Sequence, residues 1–388
     1  MKIRRTRPDF LLLLLTVLLV SFGIMMTFSA SSYTALQYYK QPWYFVDRQL
    51  GFACVGFVLM LLFMCIPYPK LKKLSVLLVF GSIATLLLVL LIGKDVNGAR
   101  RWLMIGGFTI QPTEFIKLFV LLYASILIAR KGDKIRSFKL GLLPLLFVVG
   151  CIALLILKQP DFGSSLLIII VTGVLIYVGG AKLSHLRSIL LGLTPIIIFL
   201  AVFKSYRLKR ITSFMNPWDD PDGSGYQLIQ SLYAVSHGGI AGTGFGQSIQ
   251  KMSYLPEAHT DFIFSIIAEE WGLSGTICFL LLYFLFLARG LLVALRCNEP
   301  FGLILGTGII SMIGIQLVMN IGAATGFLPI TGIPLPFISY GGSSLIVCMT
   351  SVGMLLNISR YTYETQQAES ENIKRKTRVT HERKIGVY

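Results

Sequence analysis

The 388-residue chain predicts an all-α polytopic membrane protein of about ten transmembrane helices, with both termini cytoplasmic and one long extracytoplasmic loop between helices 7 and 8. Three observations carry this expectation. Hydrophobic residues make up 55% of the chain and charged residues 14%, with a mean hydropathy of +0.74, well outside the soluble range. The apolar runs are unbroken rather than alternating, which favours helices over a barrel. Lys and Arg fall in short runs between the apolar spans. The net charge of +17 is therefore explained more simply by membrane topology than by a nucleic-acid partner.

A hydrocarbon core of about 30 Å needs about 20 apolar residues per helix. Spans are expected at roughly 9–28, 49–67, 73–93, 112–130, 141–158, 163–179, 186–204, 262–288, 301–325 and 337–358. Lys2 to Arg7 followed by Leu11 to Val20 has the charge and apolar core of a secretory signal, but the apolar stretch continues to Phe28 and many spans follow, so it reads as an uncleaved first helix. Lys158-Gln-Pro-Asp-Phe-Gly forms a tight polar turn between the fifth and sixth spans. The six cysteines show no disulfide or metal spacing and are expected to pack. No internal repeat or pair of matched broken helices is visible. Residues 1–363 form one transmembrane domain, and 364–388 form a basic tail with the composition of a disordered segment.

Orientation follows from charge. One set of short loops holds sixteen Lys and Arg, in runs such as Lys70 to Lys73 and Arg130 to Lys139, against six in the opposite set. That bias puts both termini in the cytoplasm and the loop at about 205–261 outside. Within the loop, Tyr206-Arg-Leu-Lys-Arg sets basic residues against the outer surface, either as an anion site or because long loops escape the bias. Tyr226 to Val235 has the spacing of a short helix lying flat on the membrane. Gly238, Gly239, Gly242, Gly244 and Gly246 then read as a flexible turn, since no strand precedes them.

The polar residues that chemistry could use gather at the outer interface. Glu257, His259, Thr260 and Asp261 follow Pro256 and directly precede an apolar run that Glu269 and Glu270 interrupt. Ionisable residues at membrane depth are costly and usually functional, so a reactive site is expected; Thr260 and Asp261 capping a helix is the structural alternative. Arg100, Arg101 and Trp102 sit where basic residues meet lipid phosphates or, more sharply, a bound diphosphate. Pro112 suits a first helical turn, which puts Glu114 and Lys117 on one face, able to pair, with Asp161 on the same side of the membrane as a possible third member. Thr331 to Ser344 is a Pro- and Gly-rich entry to the last span that can pack closely or line a cavity. Gln316 and Asn320 read as interhelical hydrogen bonders.

Four of these segments, Tyr254-Leu-Pro-Glu-Ala-His-Thr-Asp-Phe-Ile-Phe, Gln111-Pro-Thr-Glu-Phe-Ile-Lys, Lys158-Gln-Pro-Asp-Phe-Gly and Pro336-Phe-Ile-Ser-Tyr-Gly-Gly-Ser-Ser, resemble in order the signature segments of the SEDS family, the group of FtsW, RodA and SpoVE. The resemblance runs from about Pro8 to Tyr361. Arg207-Leu-Lys-Arg-Ile-Thr-Ser-Phe-Met-Asn-Pro-Trp and Ala258-His-Thr-Asp are similar to the division and sporulation branch. The resemblance implies a peptidoglycan glycosyltransferase that polymerises lipid II on the outer face of the bacterial cytoplasmic membrane, at a division or forespore septum. Its implied partners are a class B penicillin-binding protein, other divisome proteins and membrane lipids. It carries the essential acidic role to Asp261, marks Trp102 as functional, and marks Glu114, Lys117 and Asp161 as a buried charged network.

Such a reaction needs a base near the acceptor hydroxyl and cations near the leaving diphosphate. Asp261 is the expected base, with Arg100, Arg101, Lys209 and Arg210 as diphosphate candidates and His259, Thr260 and Ser339 as further substrate contacts. A divalent cation, Mg or Mn, would suit the diphosphate, although Glu257, His259 and Asp261 lack a diagnostic metal spacing. A lipid II flippase and a non-catalytic scaffold are the competing readings.

Overall fold

The computed structural model describes residues 7–96, 99–105, 108–202, 209 and 212–361. They are mostly helical: α1 Phe10–Tyr39, α2 Tyr44–Cys65, α3 Ser75–Ile92, α4 Pro112–Lys131, α5 Leu143–Lys158, α6 Phe162–Val178, α7 Leu183–Val202, α8 Tyr226–Gly238, α9 Ile263–Leu295, α10 Pro300–Ala324 and α11 Gly342–Tyr361. Among the described residues, the helices containing α1, α2, α4, α5, α9, α10 and α11 are long and apolar enough to cross a membrane, and those in α3 and α6 are shorter but apolar. Burial orders them. The most apolar window of α11 is 94% buried and those of α4 and α10 are 72% buried, whereas that of α2 is only 17% buried, so the first three form the centre and α2 lies outside.

One departure from the all-helical expectation lies between α3 and α4. There, three short strands, β1 Lys94–Val96, β2 Ala99–Ile105 and β3 Phe108–Ile110, form an antiparallel meander carrying Arg100, Arg101 and Trp102. These residues alternate along a strand, which a search for apolar runs does not detect. Pro112 does occupy the first turn of α4. The turn at 158–163 is also present, joining α5 to α6.

Several boundaries move for identifiable reasons. Helix α1 runs eleven residues past Phe28, because Ser29 and Ser31 are buried against protein and need no membrane. The last span starts at Gly342 rather than near 337. Helix α9 continues to Leu295 but is broken at Gly272, which has φ 63° and ψ −168°. A Cβ at Gly272 would lie 2.3 Å from the backbone nitrogen of Gly242, so Gly238 and Gly242 serve a close backbone crossing against α9, while Gly239, Gly244 and Gly246 turn the chain at positive φ without close contact. Helix α8 forms where its spacing predicts, but it packs on α9, with Leu228 and Ile229 buried; its apolar face is covered by protein rather than laid on lipid. Cys297 and Cys348 are buried, whereas Cys54, Cys65 and Cys278 lie exposed on the outside of the bundle, so only some cysteines pack internally. Arg207, Arg210 and the basic tail lie outside the described residues.

Candidate active site

The turn that carries Asp261 is held from below by its backbone. The carbonyl of His259 accepts from Tyr340 N at 2.9 Å, that of Thr260 from Ser339 Oγ at 2.5 Å, and that of Asp261 from Asn320 Nδ2 at 2.8 Å. Three successive carbonyls are therefore satisfied by the segment 331–341 and by α10. Ser339 Oγ also accepts from Leu335 N at 2.8 Å, Asn320 Nδ2 donates to Ile333 O at 2.9 Å, and Gln49 on α2 donates to Ser339 O at 3.2 Å. Asn320 thus bonds two loop backbones, where a helix-to-helix bond was expected. With buried carbonyls paired in this way, the turn holds its shape without help from its side chains.

Those side chains remain near the surface: His259, Thr260 and Asp261 are half-buried. Capping does not explain them. The N-cap of α9 is Phe262, with no side-chain cap bond, and Thr260 Oγ1 turns back to Glu257 Oε2 at 2.7 Å. The Asp261 carboxylate lies over Gly332, where a Cβ would stand 3.4 Å from Oδ2 at a backbone φ of 71°. Glu257 and Phe337 also have positive φ, 55° and 64°. Such conformations cost about 1–3 kcal/mol each and persist where surrounding structure imposes them. The His259 ring packs 4.7 Å from Phe45 and 5.7 Å from Tyr340, centroid to centroid. Burial pulls its pKa below the usual imidazole value, opposed by the charge of Glu257.

The charged network resolves into separate pieces. Lys117 Nζ donates to Glu114 Oε1 at 2.7 Å, and both side chains are almost fully buried on α4. Asp161 instead caps α6 by accepting from Ser164 N at 3.1 Å, and its Oδ2 is buried without a hydrogen-bond partner. No ion pair or hydrogen bond joins it to Glu114 or Lys117 among the described residues. The start of α6 does approach the floor of the Asp261 turn, since a Cβ at Gly163 would meet Thr331 O at 2.6 Å. Arg101 donates to the carbonyls of Gln159, at 3.0 Å, and Pro160, so its guanidinium closes the end of α5. Arg100 is exposed on the same strand and Trp102 is half-buried beside it. Lys209 is exposed and lines a cavity of about 440 Å3.

A second polar centre lies beneath the loop, around Glu269 and Glu270. Glu269 is fully buried and accepts from Ile249 N and from Ser248 Oγ, with His237 Nδ1 at 3.0 Å. Glu270, its neighbour, pairs with buried Lys251 at 2.9 Å and accepts from Ser29 Oγ at 2.5 Å. These bonds fasten residues 237–251 to α9 and α1. The signal was visible as two acids inside an apolar run; the missing information was the partner twenty residues upstream. No group of three or more His, Cys, Asp or Glu is arranged to hold a metal ion among the described residues.

Comparison with known proteins identifies the family. The family model described as "Cell cycle protein", for the FtsW, RodA and SpoVE group, matches residues 9–364. Stage V sporulation protein E of Bacillus subtilis is 44% identical over 93% of this chain and 100% of its own length. A probable peptidoglycan glycosyltransferase FtsW of Trichlorobacter lovleyi is 43% identical over 92% of this chain and 94% of its own. Among solved structures, a chain from a study of polymerization and crosslinking by a peptidoglycan synthase complex superimposes with a TM-score of 0.75 at 31% identity, covering 92% of this chain and 98% of that one. The rod shape determining protein RodA of Thermus thermophilus superimposes with a TM-score of 0.67 at 29% identity, over 92% and 98%. With a match spanning nearly every described residue, this chain belongs to the FtsW/RodA/SpoVE family.

Proposed function

We infer that this chain is a peptidoglycan glycosyltransferase that polymerises lipid II on the outer face of the bacterial cytoplasmic membrane, for septal or spore wall synthesis, together with a class B penicillin-binding protein. The observation that carries the mechanism is a carboxylate, Asp261, on a turn whose three neighbouring carbonyls are all tied down. Names of relatives and of the synthase complex support the reaction class. The inside bias of Lys and Arg supports ten spans with cytoplasmic termini and an outer Asp261.

In the reaction, the acceptor sugar's 4-hydroxyl oxygen attacks the anomeric carbon of the donor. The bond from that carbon to the phosphate oxygen breaks, its electron pair leaves with undecaprenyl diphosphate, and the configuration inverts. Asp261 takes the hydroxyl proton as the new bond forms. A positioned base of this kind contributes about 10²–10⁴ in rate. Fixing the backbone before substrate arrives is what keeps the carboxylate in place for that transfer. Mg or Mn on the diphosphate would neutralise the leaving group, although the described residues form no metal cluster of their own for it.

A flippase would need a polar path past Glu114 and Lys117. The void beside Lys117 is about 10 Å3, room for about one water and not for a sugar. The deciding experiment is polymerisation of purified lipid II by the full chain with its class B partner, wild type beside Asp261→Asn. Wild type is expected to make glycan and the variant to lose about 10²–10⁴ in rate while still copurifying with the partner. Movement of lipid II across vesicles by a wild type that makes no glycan would overturn the assignment.

A further inference from the structure

The Asp261 turn has a neighbour that its mechanism does not use. A cavity of about 440 Å3 lies between Lys209 with residues 213–228 and two residues that lead directly into the site, Pro256 and Ile330. Pro256 opens the turn that ends at Asp261. Ile330 stands two residues before Gly332, over which the Asp261 carboxylate lies, and two residues span at most about 7 Å. The volume falls within the roughly 300–1,000 Å3 of small-molecule sites.

The walls are chemically mixed. Lys209, Asp222, Tyr226 and Gln227 all line the cavity. The side chains of Asp222, Tyr226 and Gln227 make no hydrogen bond among the described residues, whereas Ser213 and Ser224, which line the same cavity, are bonded. Ser213 Oγ bonds Ser224 Oγ at 2.6 Å, and Asp220 accepts from Ser224 N at 2.9 Å and from its hydroxyl at 3.0 Å. Those bonds hold the Asp220 carboxyl below its usual pKa range and stiffen the wall. An acid, a carboxamide, a phenol and an ammonium carried by residues that line one space, beside the apolar Phe214, Leu228, Pro256 and Ile330, match a ligand with an apolar face that bears hydroxyls, an amide and a negative charge. The tyrosine ring offers a face for the C–H surface of a sugar, the carboxylate and carboxamide exchange hydrogen bonds with hydroxyl and acetamido groups, and the lysine answers a carboxylate.

We propose that this cavity is a saccharide subsite holding the N-acetylated amino-sugar and peptide head of the lipid-linked substrate, so that the ring extending past Ile330 reaches Asp261. It rests on the glycosyltransferase reading above. The same chemistry is present in the incoming monomer and in the end of a growing strand.

Saturation-transfer NMR on the full-length Asp261→Asn protein in detergent tests it, with two soluble probes: the disaccharide-pentapeptide freed from its lipid, and a short uncrosslinked glycan oligomer. Saturation of the acetamido methyls is expected, falling at least fivefold in Asp222→Asn and in Gln227→Ala, each in the Asp261→Asn background and each with an unchanged melting temperature. A monomer signal that the oligomer does not displace assigns the cavity to the incoming unit; displacement assigns it to the strand. In proteins retaining Asp261, the same two variants are expected to raise the KM for lipid II about fivefold with kcat within twofold. No saturation of either probe, or equal saturation with and without Asp222 and Gln227, overturns the subsite. Failure of wild type to polymerise lipid II overturns the reaction assignment instead, and leaves the binding result to be read separately.

Discussion

Two carboxylate sites at the same end of the bundle are built in opposite ways. Glu114 is almost fully buried, and its charge is answered within its own helix by Lys117 at 2.7 Å. Asp261 is half-buried, and the bonds around it go to backbone carbonyls from Ser339, Tyr340 and Asn320. The first arrangement neutralises a charge in a dry core. The second fixes a chain and presents a charge at a surface. The difference teaches that an acid in an apolar segment is not by itself a catalytic signal. Burial of the side chain, and whether the backbone that carries it is separately fixed, distinguish the two sites.

The comparison breaks most visibly if each acid is made neutral. Asp261→Asn is expected to abolish nearly all polymerisation with little loss of stability. Glu114→Gln leaves the Lys117 ammonium buried without its partner, which costs about 3–5 kcal/mol. The check is thermal melting in detergent, paired with Glu114→Leu/Lys117→Met, which removes both charges and should recover most of the loss. Equal melting of Glu114→Gln and wild type would show that the pair contributes nothing to the fold.

A smaller effect sharpens the role of the clamp. Ser339→Ala removes the hydroxyl shared by Thr260 O and Leu335 N, leaving both without that partner, and should cost about 1–3 kcal/mol. Its signature is a fall in kcat with KM for lipid II unchanged, because the turn that positions Asp261 loosens. Ser339→Thr, which restores a hydroxyl, should recover part of kcat. A pure rise in KM would instead make Ser339 a substrate contact.

The smallest expected effect is in pH. Burial lowers the folded pKa of His259, so its protonation opposes folding. The stability it contributes is fully present above the unfolded imidazole value of about 6.5 and is lost as pH falls through that value toward the lowered folded one. Melting temperature measured from pH 8 to pH 5 should fall on the acid side, and His259→Gln should flatten that slope. A slope that survives the substitution belongs to another group.

Legibility in the sequence divided along physical lines. Helix-forming spans were readable because a lipid-facing run must be continuously apolar. The Glu114 to Lys117 pair was readable because three residues on a helix are neighbours, and the 158–163 turn because Pro and Asp interrupt the run. The β2 strand escaped because alternation over seven residues is short and two of them are arginines. Arg101, expected near a diphosphate, closes the end of α5, since its partners are carbonyls 58 and 59 residues away. Gly239, Gly244 and Gly246 turn the chain as their spacing predicts, but the use of Gly238 and Gly242, a close crossing against α9, depends on a helix that comes later in the chain. The same holds for Lys251 and Ser29, whose shared partner Glu270 lies on α9.

What the sequence determined by itself was the medium, the helical class and the few acids worth testing, because all of these depend on local composition and spacing. Tertiary structure decided which acid is sealed and which is presented. It also decided that Asp161 caps a helix and that segment 331–341 is the floor of the Asp261 turn. The Asp161 cap is a local bond to Ser164, but the floor depends on hydrogen bonds between residues 59 or more positions apart, such as Asn320 to Asp261, Ser339 to Thr260 and Gln49 to Ser339, and pairings of that range exist only once the helices have packed.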